Sequence, residues 1–107
     1  LVYGLTYKKD VGDLRESPAV AFCHLLKQKG IVFRVYDPMI SRDAISSLGF
    51  GWEKPSPMDI LVVATDHSSL YEDAKKIITD KTVVIDGRNF FTKRVGKVVY
   101  GVGRTLV

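Results

Sequence analysis

The residues best suited to bind a ligand begin with a charged stretch, YKKDVGDLRE, at residues 7–16. Lys8 and Arg15 could supply positive charge to a phosphate, and a helix that begins at Ser17 would add free backbone amides. The three carboxylates of the same stretch repel an anion unless basic neighbours already neutralise them. The stretch therefore predicts either an anion-binding loop or a solvated loop whose acids and bases pair with one another.

A further cation, Arg88, follows an apolar run in the sequence DGRN at residues 86–89. If Arg88 and Lys8 emerge at the same edge of a sheet, two cations from different loops converge there. The alternative is a tight turn with a solvent-exposed arginine. His67 lies in a third loop, at residues 66–69, and is the better functional candidate of the two histidines.

The sequence predicts no nucleophile and no metal site. Cys23 lies on the apolar stripe of a predicted helix, where a thiol is usually buried and inert, and its neighbour His24 points to another face. His67 has no histidine, cysteine or carboxylate at metal-ligand spacing. The fingerprints GxGxxG and GxxxxGK[ST] are absent, so Asp37 before Pro38 indicates a turn and not a dinucleotide site.

The composition is that of a soluble, single-domain chain. Its 107 residues, 46% hydrophobic and 26% charged, suit one domain with one core. A single cysteine excludes an internal disulfide, and no apolar run approaches the roughly 18 residues of a membrane span. The net charge of +4 is dispersed, so we expect a cytoplasmic chain without membrane or nucleic-acid partners. Because the chain opens on an apolar run without Met, we expect a fragment of a longer protein.

Apolar segments rich in β-branched residues alternate with helical patterns along the chain. Strands are expected at residues 1–6, 31–36, 60–65, 82–85 and 97–100. One helix is expected after Ser17 as N-cap, and two more after Ser41 and Ser69, the last with a capping box completed by Glu72.

This alternation predicts an α/β fold, a three-layer α/β/α sandwich around a mostly parallel, Rossmann-like sheet that is buried on both faces. We expect the strand order 3-2-1-4-5 across this sheet. The strands that begin near Val2 and Ile60 then flank the switch point of the sheet, where such folds bind ligands. This rule selects the three loops described above.

Four landmarks resemble the C-terminal domain of the UDP-glucose/GDP-mannose dehydrogenase family: GLTYKKDVGDLRESPA at residues 4–19, VYDP at 35–38, ATDHSSLY at 64–71 and VVIDGRNFF at 83–91. Enzymes of this family oxidise C6 of a UDP- or GDP-sugar to a carboxylate in two NAD-dependent steps. The resemblance implies that residues 1–107 are the nucleotide-sugar (UDP) binding domain of such an enzyme, isolated here as an inactive fragment. NAD would be bound mainly by the N-terminal domain of that enzyme.

The resemblance also implies roles for individual residues. Tyr7 and Lys8 match an aromatic-lysine pair that lies against the nucleotide-sugar, and Arg88 matches an arginine that reaches the same substrate. Arg15 matches an arginine that reaches toward the NAD of the other domain. The catalytic residues of the family belong to other domains, so none is expected here. The parent enzyme is expected to be a homo-oligomer through its central region.

The DHS tripeptide and the DLRESPA stretch look more similar to the branch of the family that acts on UDP-N-acetylmannosamine and UDP-N-acetylglucosamine. We therefore expect the parent enzyme to oxidise UDP-N-acetylmannosamine to a uronate. A UDP-glucose 6-dehydrogenase is the alternative within the family. Outside it, the alternatives are a free-standing nucleotide-binding or regulatory module and a basic nucleic-acid binder.

Overall fold

The computed structural model describes all 107 residues and consists of one six-stranded sheet and three helices. The strands are β1 (Val2–Tyr3), β2 (Val35–Tyr36), β3 (Ile60–Val63), β4 (Val83–Asp86), β5 (Val98–Gly101) and β6 (Arg104–Leu106). The helices are α1 (Pro18–Gln28), α2 (Arg42–Ser47) and α3 (Leu70–Ile77). Strands β1 to β5 are parallel and β6 is antiparallel. None of the helices has the length and apolarity needed to span a membrane.

The sheet confirms the predicted α/β architecture and the predicted neighbours of the first strand. The order across the sheet is β2-β1-β3-β4-β5-β6, so the switch point falls at the carboxyl ends of β1 and β3. The outermost position of the predicted order, beside β2, is occupied only by one parallel bridge between Val35 and Trp52. Segment 49–58 contains two prolines and two glycines, which interrupt a hydrogen-bonded ladder. The antiparallel edge strand β6 was not predicted.

Two of the three predicted helix caps are present. The Ser17 side chain accepts a hydrogen bond from the amide of Val20, and Ser41 caps α2 in the same way. The capping box predicted at Ser69 is wrong. Ser69 has a helical backbone and makes no cap bond, and its hydroxyl instead lies 2.9 Å from the Tyr3 hydroxyl.

The core consists of two apolar clusters, one on each face of the sheet. Helix α3 covers the face that contains Tyr3, and its buried cluster comprises Tyr3, Leu61, Val63, Leu70, Ala74, Ile77, Val84 and Val99. Helices α1 and α2 cover the opposite face near β1 and β2, with Val2, Leu5, Cys23, Val35, Ile45 and Phe50. The apolar spacing in each helix therefore marks the face that packs on the sheet.

The expectation that all strands are buried on both faces is wrong for β3 to β5. Ile60, Ile85 and Tyr100 share the face that α1 and α2 cover elsewhere, and each is 43–50% exposed. No helix connects β4 to β5 or follows β5 in this chain, so nothing covers this part of the sheet. The second helical layer is thus restricted to the β1 and β2 half.

Gly4 directly follows β1 and allows Thr65, two residues after β3, to approach it closely. Its φ is +96°, and a Cβ at this position would lie 2.4 Å from the Cβ of Thr65. A side chain cannot be accommodated at that distance, and an L residue rarely adopts that φ. The close approach brings the loop after β1 directly beside the loop after β3.

Candidate functional site

The side chain of Arg88, in the turn after β4, joins the loops that follow β1 and β3. Its Nη2 donates to the carbonyl oxygen of Tyr7 at 2.7 Å, and its Nε donates to the carbonyl oxygen of Ala64 at 3.1 Å. Its Nη1 lies 3.4 Å from the carboxylate of Asp66. These contacts leave N–H bonds on both terminal nitrogens for a ligand. The sequence-based expectation that the loops of Lys8 and Arg88 share one sheet edge matches this geometry.

Asp86, the last residue of β4, fixes the turn that carries Arg88. Its carboxylate is fully buried, and it accepts hydrogen bonds from the backbone amides of Arg88 at 3.2 Å and Phe91 at 2.9 Å. Arg104 of β6 approaches the same carboxylate at 3.6 Å and balances its charge. The edge strand thereby supports the turn from outside the site.

An open cleft of about 960 Å³ lies along the loop after β1, lined by Tyr7, Lys8, Val11, Asp13, Arg15 and Glu16. Its volume falls within the usual range of small-molecule sites. The Tyr7 ring is 52% exposed, which leaves an aromatic surface on which a flat or apolar part of a ligand can pack. Val11 adds a second exposed apolar side chain.

Of the two acids that line this cleft, Asp13 is already paired with a cation and Glu16 is not. Asp13 pairs with Arg15, and hydrogen bonds from the side chain and the backbone of Arg15 lower the pKa of Asp13 to about 2. Asp10 accepts hydrogen bonds from the backbone and the hydroxyl of Ser68. The Lys8 ammonium has no hydrogen bond or ion pair and is exposed to solvent. The neighbouring Lys9 is also exposed and unpaired, but of the two lysines only Lys8 lines the cleft.

Arg15 lies in the same cleft but is already paired. Its Nη2 and Nε donate to the Asp13 carboxylate at 2.9 and 3.1 Å, while 87% of its side chain remains exposed. Arg15 could therefore extend from the rim to a molecule held by another part of a protein. Its predicted contact with NAD stays a prediction.

The start of α1 also bounds the site. Ser17 accepts from the amide of Val20 and donates its hydroxyl hydrogen to the carbonyl of Leu5, which fastens the helix to the end of the first strand. The first turn of α1 contains no acidic residue. Glu16, directly before the cap, has a φ of +54° and lines the cleft. The helix start is therefore close to the cleft, with one carboxylate beside it.

A buried pair that the sequence reasoning missed, Asp37 and His67, lies behind the loop. Asp37 Oδ2 accepts from the amide of Leu5 at 2.6 Å and lies 2.9 Å from Nε2 of His67, and Oδ1 accepts from the amide of Met39 at 2.7 Å. Burial acts to raise the pKa of Asp37, but the hydrogen bonds from His67, Leu5 and Met39 outweigh it and lower the pKa. The contact with Met39 is the expected turn.

A signal for this pair was present in the sequence. Asp37 and His67 each follow a strand that neighbours β1 in the predicted order, so both had to emerge beside the first loop. Taken singly, Asp37 predicts a turn and His67 an isolated histidine. Because a buried carboxylate and a buried imidazole satisfy one another, the two should be considered together.

Cys23 is a core residue, as predicted. The thiol is fully buried in the cluster beneath α1, and burial raises its pKa to about 12. The ring of His24 packs against Phe50 at a centroid distance of 4.9 Å, so it does not face the thiol. The structure also contains no group of three His, Cys, Asp or Glu side chains that could hold a metal ion.

Comparison with known proteins identifies the family to which this chain belongs. Residues 1–93 match the model of the UDP-glucose/GDP-mannose dehydrogenase family, UDP binding domain. The chain belongs to this family. The matched region contains the cleft, the Asp37–His67 pair and the Arg88 turn, and it ends before β5.

Relatives along the whole chain include dehydrogenases of two substrate types. The UDP-N-acetyl-D-mannosamine dehydrogenase of Pyrococcus horikoshii is 33% identical over 96% of this chain and 25% of its own length. The UDP-glucose 6-dehydrogenase TuaD of Bacillus subtilis is 28% identical over 99% of this chain and 26% of its own length. The chain thus spans about a quarter of the length of these two relatives.

Solved structures of longer relatives contain the same fold. The UDP-N-acetyl-mannosamine dehydrogenase Cap5O of Staphylococcus aureus superposes with a TM-score of 0.68 at 28% identity, over 94% of this chain and 24% of that chain. The corresponding enzyme of Pyrococcus horikoshii gives a TM-score of 0.68 at 29% identity, over 96% of this chain and 25% of that one. The family assignment and the fold therefore agree.

Proposed function

We propose that this chain is the nucleotide-sugar binding domain of an NAD-dependent UDP-sugar 6-dehydrogenase and forms the C-terminal part of a longer enzyme. One observation carries the proposal: Arg88 donates to the carbonyl of Tyr7, so the two loops with the predicted substrate contacts form one surface. Membership in the family whose model is the UDP binding domain supports it.

In this proposal the cleft binds the nucleotide part of a UDP-sugar. The unpaired Lys8 ammonium and the remaining N–H bonds of Arg88 neutralise the diphosphate, because ionised donors make the strongest hydrogen bonds to phosphate oxygens. The exposed Tyr7 ring packs on the ligand. The ion pair of Asp13 with Arg15 offsets the charge of one carboxylate that would otherwise oppose the phosphates.

UDP-N-acetylmannosamine is the proposed sugar nucleotide of the whole enzyme. Two relatives that cover most of this chain and both solved structures described above carry that specificity in their names. UDP-glucose is the second candidate, since UDP-glucose 6-dehydrogenases match at similar identity. The two nucleotide-sugars share the whole UDP part and differ at C2 of the sugar ring, so a cleft that binds the UDP part accepts either of them.

NAD would contact this domain only at its edge. The chain lacks a glycine-rich dinucleotide fingerprint, and Arg15 is the one residue predicted to reach the cofactor. The residues present fit a peripheral contact and not a complete NAD site. When bound to the enzyme, NAD accepts hydride from C6 of the sugar. This domain holds the nucleotide in place for that step and supplies no nucleophile, so the 107 residues bind and do not catalyse.

The binding proposal is tested by an NMR titration of the 107-residue chain with UDP and, separately, with AMP. We expect UDP to shift the amides of residues 7–15 and 86–89 and AMP to shift them less. Lys8→Ala should weaken UDP binding, while Lys81→Ala, at the opposite edge of the sheet before β4, should not. Shifts confined to other regions, or equal responses to UDP and AMP, would contradict the proposal and favour a general nucleotide-binding module.

A further inference from the structure

His67 lies in the loop between β3 and α3, and its side chain is fully buried. Both of its ring nitrogens make hydrogen bonds. Its Nδ1 accepts a hydrogen bond from the backbone amide of Asp10 at 2.8 Å. Its Nε2 lies 2.9 Å from the carboxylate of Asp37 and 3.1 Å from the hydroxyl of Thr6. The ring thus connects the end of β2 to the loop after β1.

These contacts define the tautomer of His67. A backbone N–H can only donate, so Nδ1 must carry the lone pair and Nε2 must carry the hydrogen. That hydrogen points to the ionised carboxylate of Asp37. The Thr6 hydroxyl donates its own hydrogen to the carbonyl of Lys8 at 2.9 Å. Every polar atom of this buried group therefore has a partner, in agreement with the absence of unsatisfied buried side-chain atoms.

Both the backbone amide and the carboxylate of Asp10 make hydrogen bonds to the loop after β3. Its backbone has a φ of +59°, a conformation that needs support from its surroundings in a residue other than glycine. Its amide is fixed by His67, and its carboxylate accepts from the backbone of Ser68 at 2.8 Å and from the Ser68 hydroxyl. Asp10 is the far anchor of the short segment that carries Tyr7 and Lys8.

We propose that His67 is a positioning residue for nucleotide binding, which acts through its hydrogen bond to the Asp10 amide. This bond fixes one end of the segment 7–10, while Arg88 fixes the carbonyl of Tyr7 at the other. Together they hold Tyr7 and Lys8 toward the cleft. The inference rests on the proposed function, because it assigns His67 to the loop that contacts the nucleotide.

Two substitutions separate the two contacts of the ring. In His67→Asn the side-chain oxygen takes the place of Nδ1, which keeps an acceptor for the Asp10 amide and removes the donor to Asp37. In His67→Gln the side-chain nitrogen takes the place of Nε2, which keeps the donor to Asp37 and removes the acceptor for Asp10. One variant thus preserves the loop anchor and the other preserves the buried pair.

The experiment measures UDP affinity by NMR titration, stability by chemical denaturation, and hydrogen exchange of the Asp10 amide in the 107-residue chain. We expect His67→Asn to bind UDP within about threefold of the wild type and His67→Gln to bind about tenfold more weakly, with faster exchange at Asp10. Stability should follow the opposite order, because the buried Asp37 keeps its partner only in His67→Gln.

Affinity that follows stability in both variants would overturn the inference, and so would wild-type affinity in His67→Gln. If one variant does not fold, the other decides. In a folded His67→Asn, affinity within about threefold of the wild type supports the inference and about tenfold weaker binding overturns it. In a folded His67→Gln, about tenfold weaker binding with faster exchange at Asp10 supports it and wild-type affinity overturns it. A wild-type chain that does not bind UDP overturns the proposed function as well, so the two failures are distinct.

Discussion

The guanidinium of Arg88 holds the carbonyl oxygen of Tyr7 at 2.7 Å, although 81 positions of sequence separate the two residues. The contact is possible because β1, β3 and β4 are adjacent and parallel, with their carboxyl ends at one edge. The position of Tyr7 therefore depends on a turn at the other end of the chain. A substitution in that turn should alter the nucleotide site without touching the first loop.

Arg88→Lys tests this dependence directly. A lysine keeps the positive charge but has one nitrogen, so it cannot reach Tyr7, Ala64 and Asp66 together. We expect UDP affinity to fall by at least about tenfold, since a lost charge-assisted hydrogen bond costs about 1.5 to 3 kcal/mol. The matched control is Arg94→Lys, an exposed arginine without a partner. Equal affinities of the two variants in an NMR titration would contradict the role of Arg88.

Lys8→Ala and Arg15→Ala should separate the two ligands of the full-length enzyme. Lys8 has no partner in the cleft, so its loss should raise the KM for the UDP-sugar about tenfold or more and change the KM for NAD little. Arg15→Ala should show the reverse preference. Steady-state kinetics with each substrate varied in turn measure both constants. Equal effects of each variant on both constants would refute the assigned roles.

Cys23 should behave as a core residue and not as a nucleophile. Cys23→Ala should cost about 1 kcal/mol or more of unfolding free energy through lost packing and leave the turnover number of the full-length enzyme nearly unchanged. Iodoacetamide should label the native chain slowly and the unfolded chain rapidly, because burial raises the thiol pKa to about 12. Rapid stoichiometric labelling of native protein at neutral pH would contradict the structural role.

Asp37 should make the stability of the chain depend on acidity. Its pKa is lower in the folded state than its ordinary value, which is about 3.9 in unfolded chains. The unfolded state therefore binds the proton more readily. The stabilisation by Asp37 is complete above that value and is lost as the pH falls through the folded pKa. Denaturation at a series of pH values should show wild type losing stability below pH of about 4.

Two variants assign that loss to Asp37. Asp37→Asn should cost at least about 2 kcal/mol at neutral pH, since the hydrogen bonds to a buried charge are lost, and its stability should fall less steeply in acid. Asp13→Asn removes an exposed carboxylate whose pKa is also lowered, and solvent should make its effect smaller. If Asp13→Asn flattened the acid profile more than Asp37→Asn, the assignment would be wrong.

Gly4→Ala should destabilise the chain more than an ordinary substitution of glycine in a turn. The new Cβ would meet Thr65 at 2.4 Å with φ at +96°, so we expect a cost of at least about 2 kcal/mol. Gly103 has a similarly positive φ of +70° but open space around it, and Gly103→Ala should cost only about 1 kcal/mol. Urea denaturation of the two variants measures the difference, and equal costs would show that the contact with Thr65 relaxes.

The sequence predicted the features that depend on local pattern and on strand order. Ser17 and Ser41 cap their helices, Cys23 lies in the core, and the switch-point rule selected the loops that Arg88 joins. The absence of a cap at Ser69 could not be predicted from the sequence. The tertiary contact of Ser69 with Tyr3 competes with the cap, and no local pattern contains that contact. The uncovered face of β3 to β5 could not be predicted for a related reason. Residue alternation indicates which side of a strand is apolar but not whether anything packs on it.

The contact between Asp37 and His67 could not be predicted from local sequence patterns either, for a different reason. Each residue alone has a common explanation, and only the three-dimensional arrangement shows that both are buried around the Asp10 amide. The hydrogen bonds of Arg88 are similar, because two of its acceptors are backbone carbonyls whose positions follow from the twist and register of the sheet. The rule for parallel sheets identifies the edge, and side-chain geometry identifies the partners.

The three contacts of the Arg88 side chain also determine when its conformational entropy is lost. Immobilising an arginine costs up to about 2 kcal/mol in lost rotamers. In this chain the loss occurs during folding, because Tyr7, Ala64 and Asp66 already fix the guanidinium. The unpaired Lys8 loses its rotamers only when a ligand binds. A diphosphate therefore meets one cation that is already rigid and one that must still be ordered. Binding to Arg88 adds no entropic cost for ordering its side chain, whereas binding to Lys8 does.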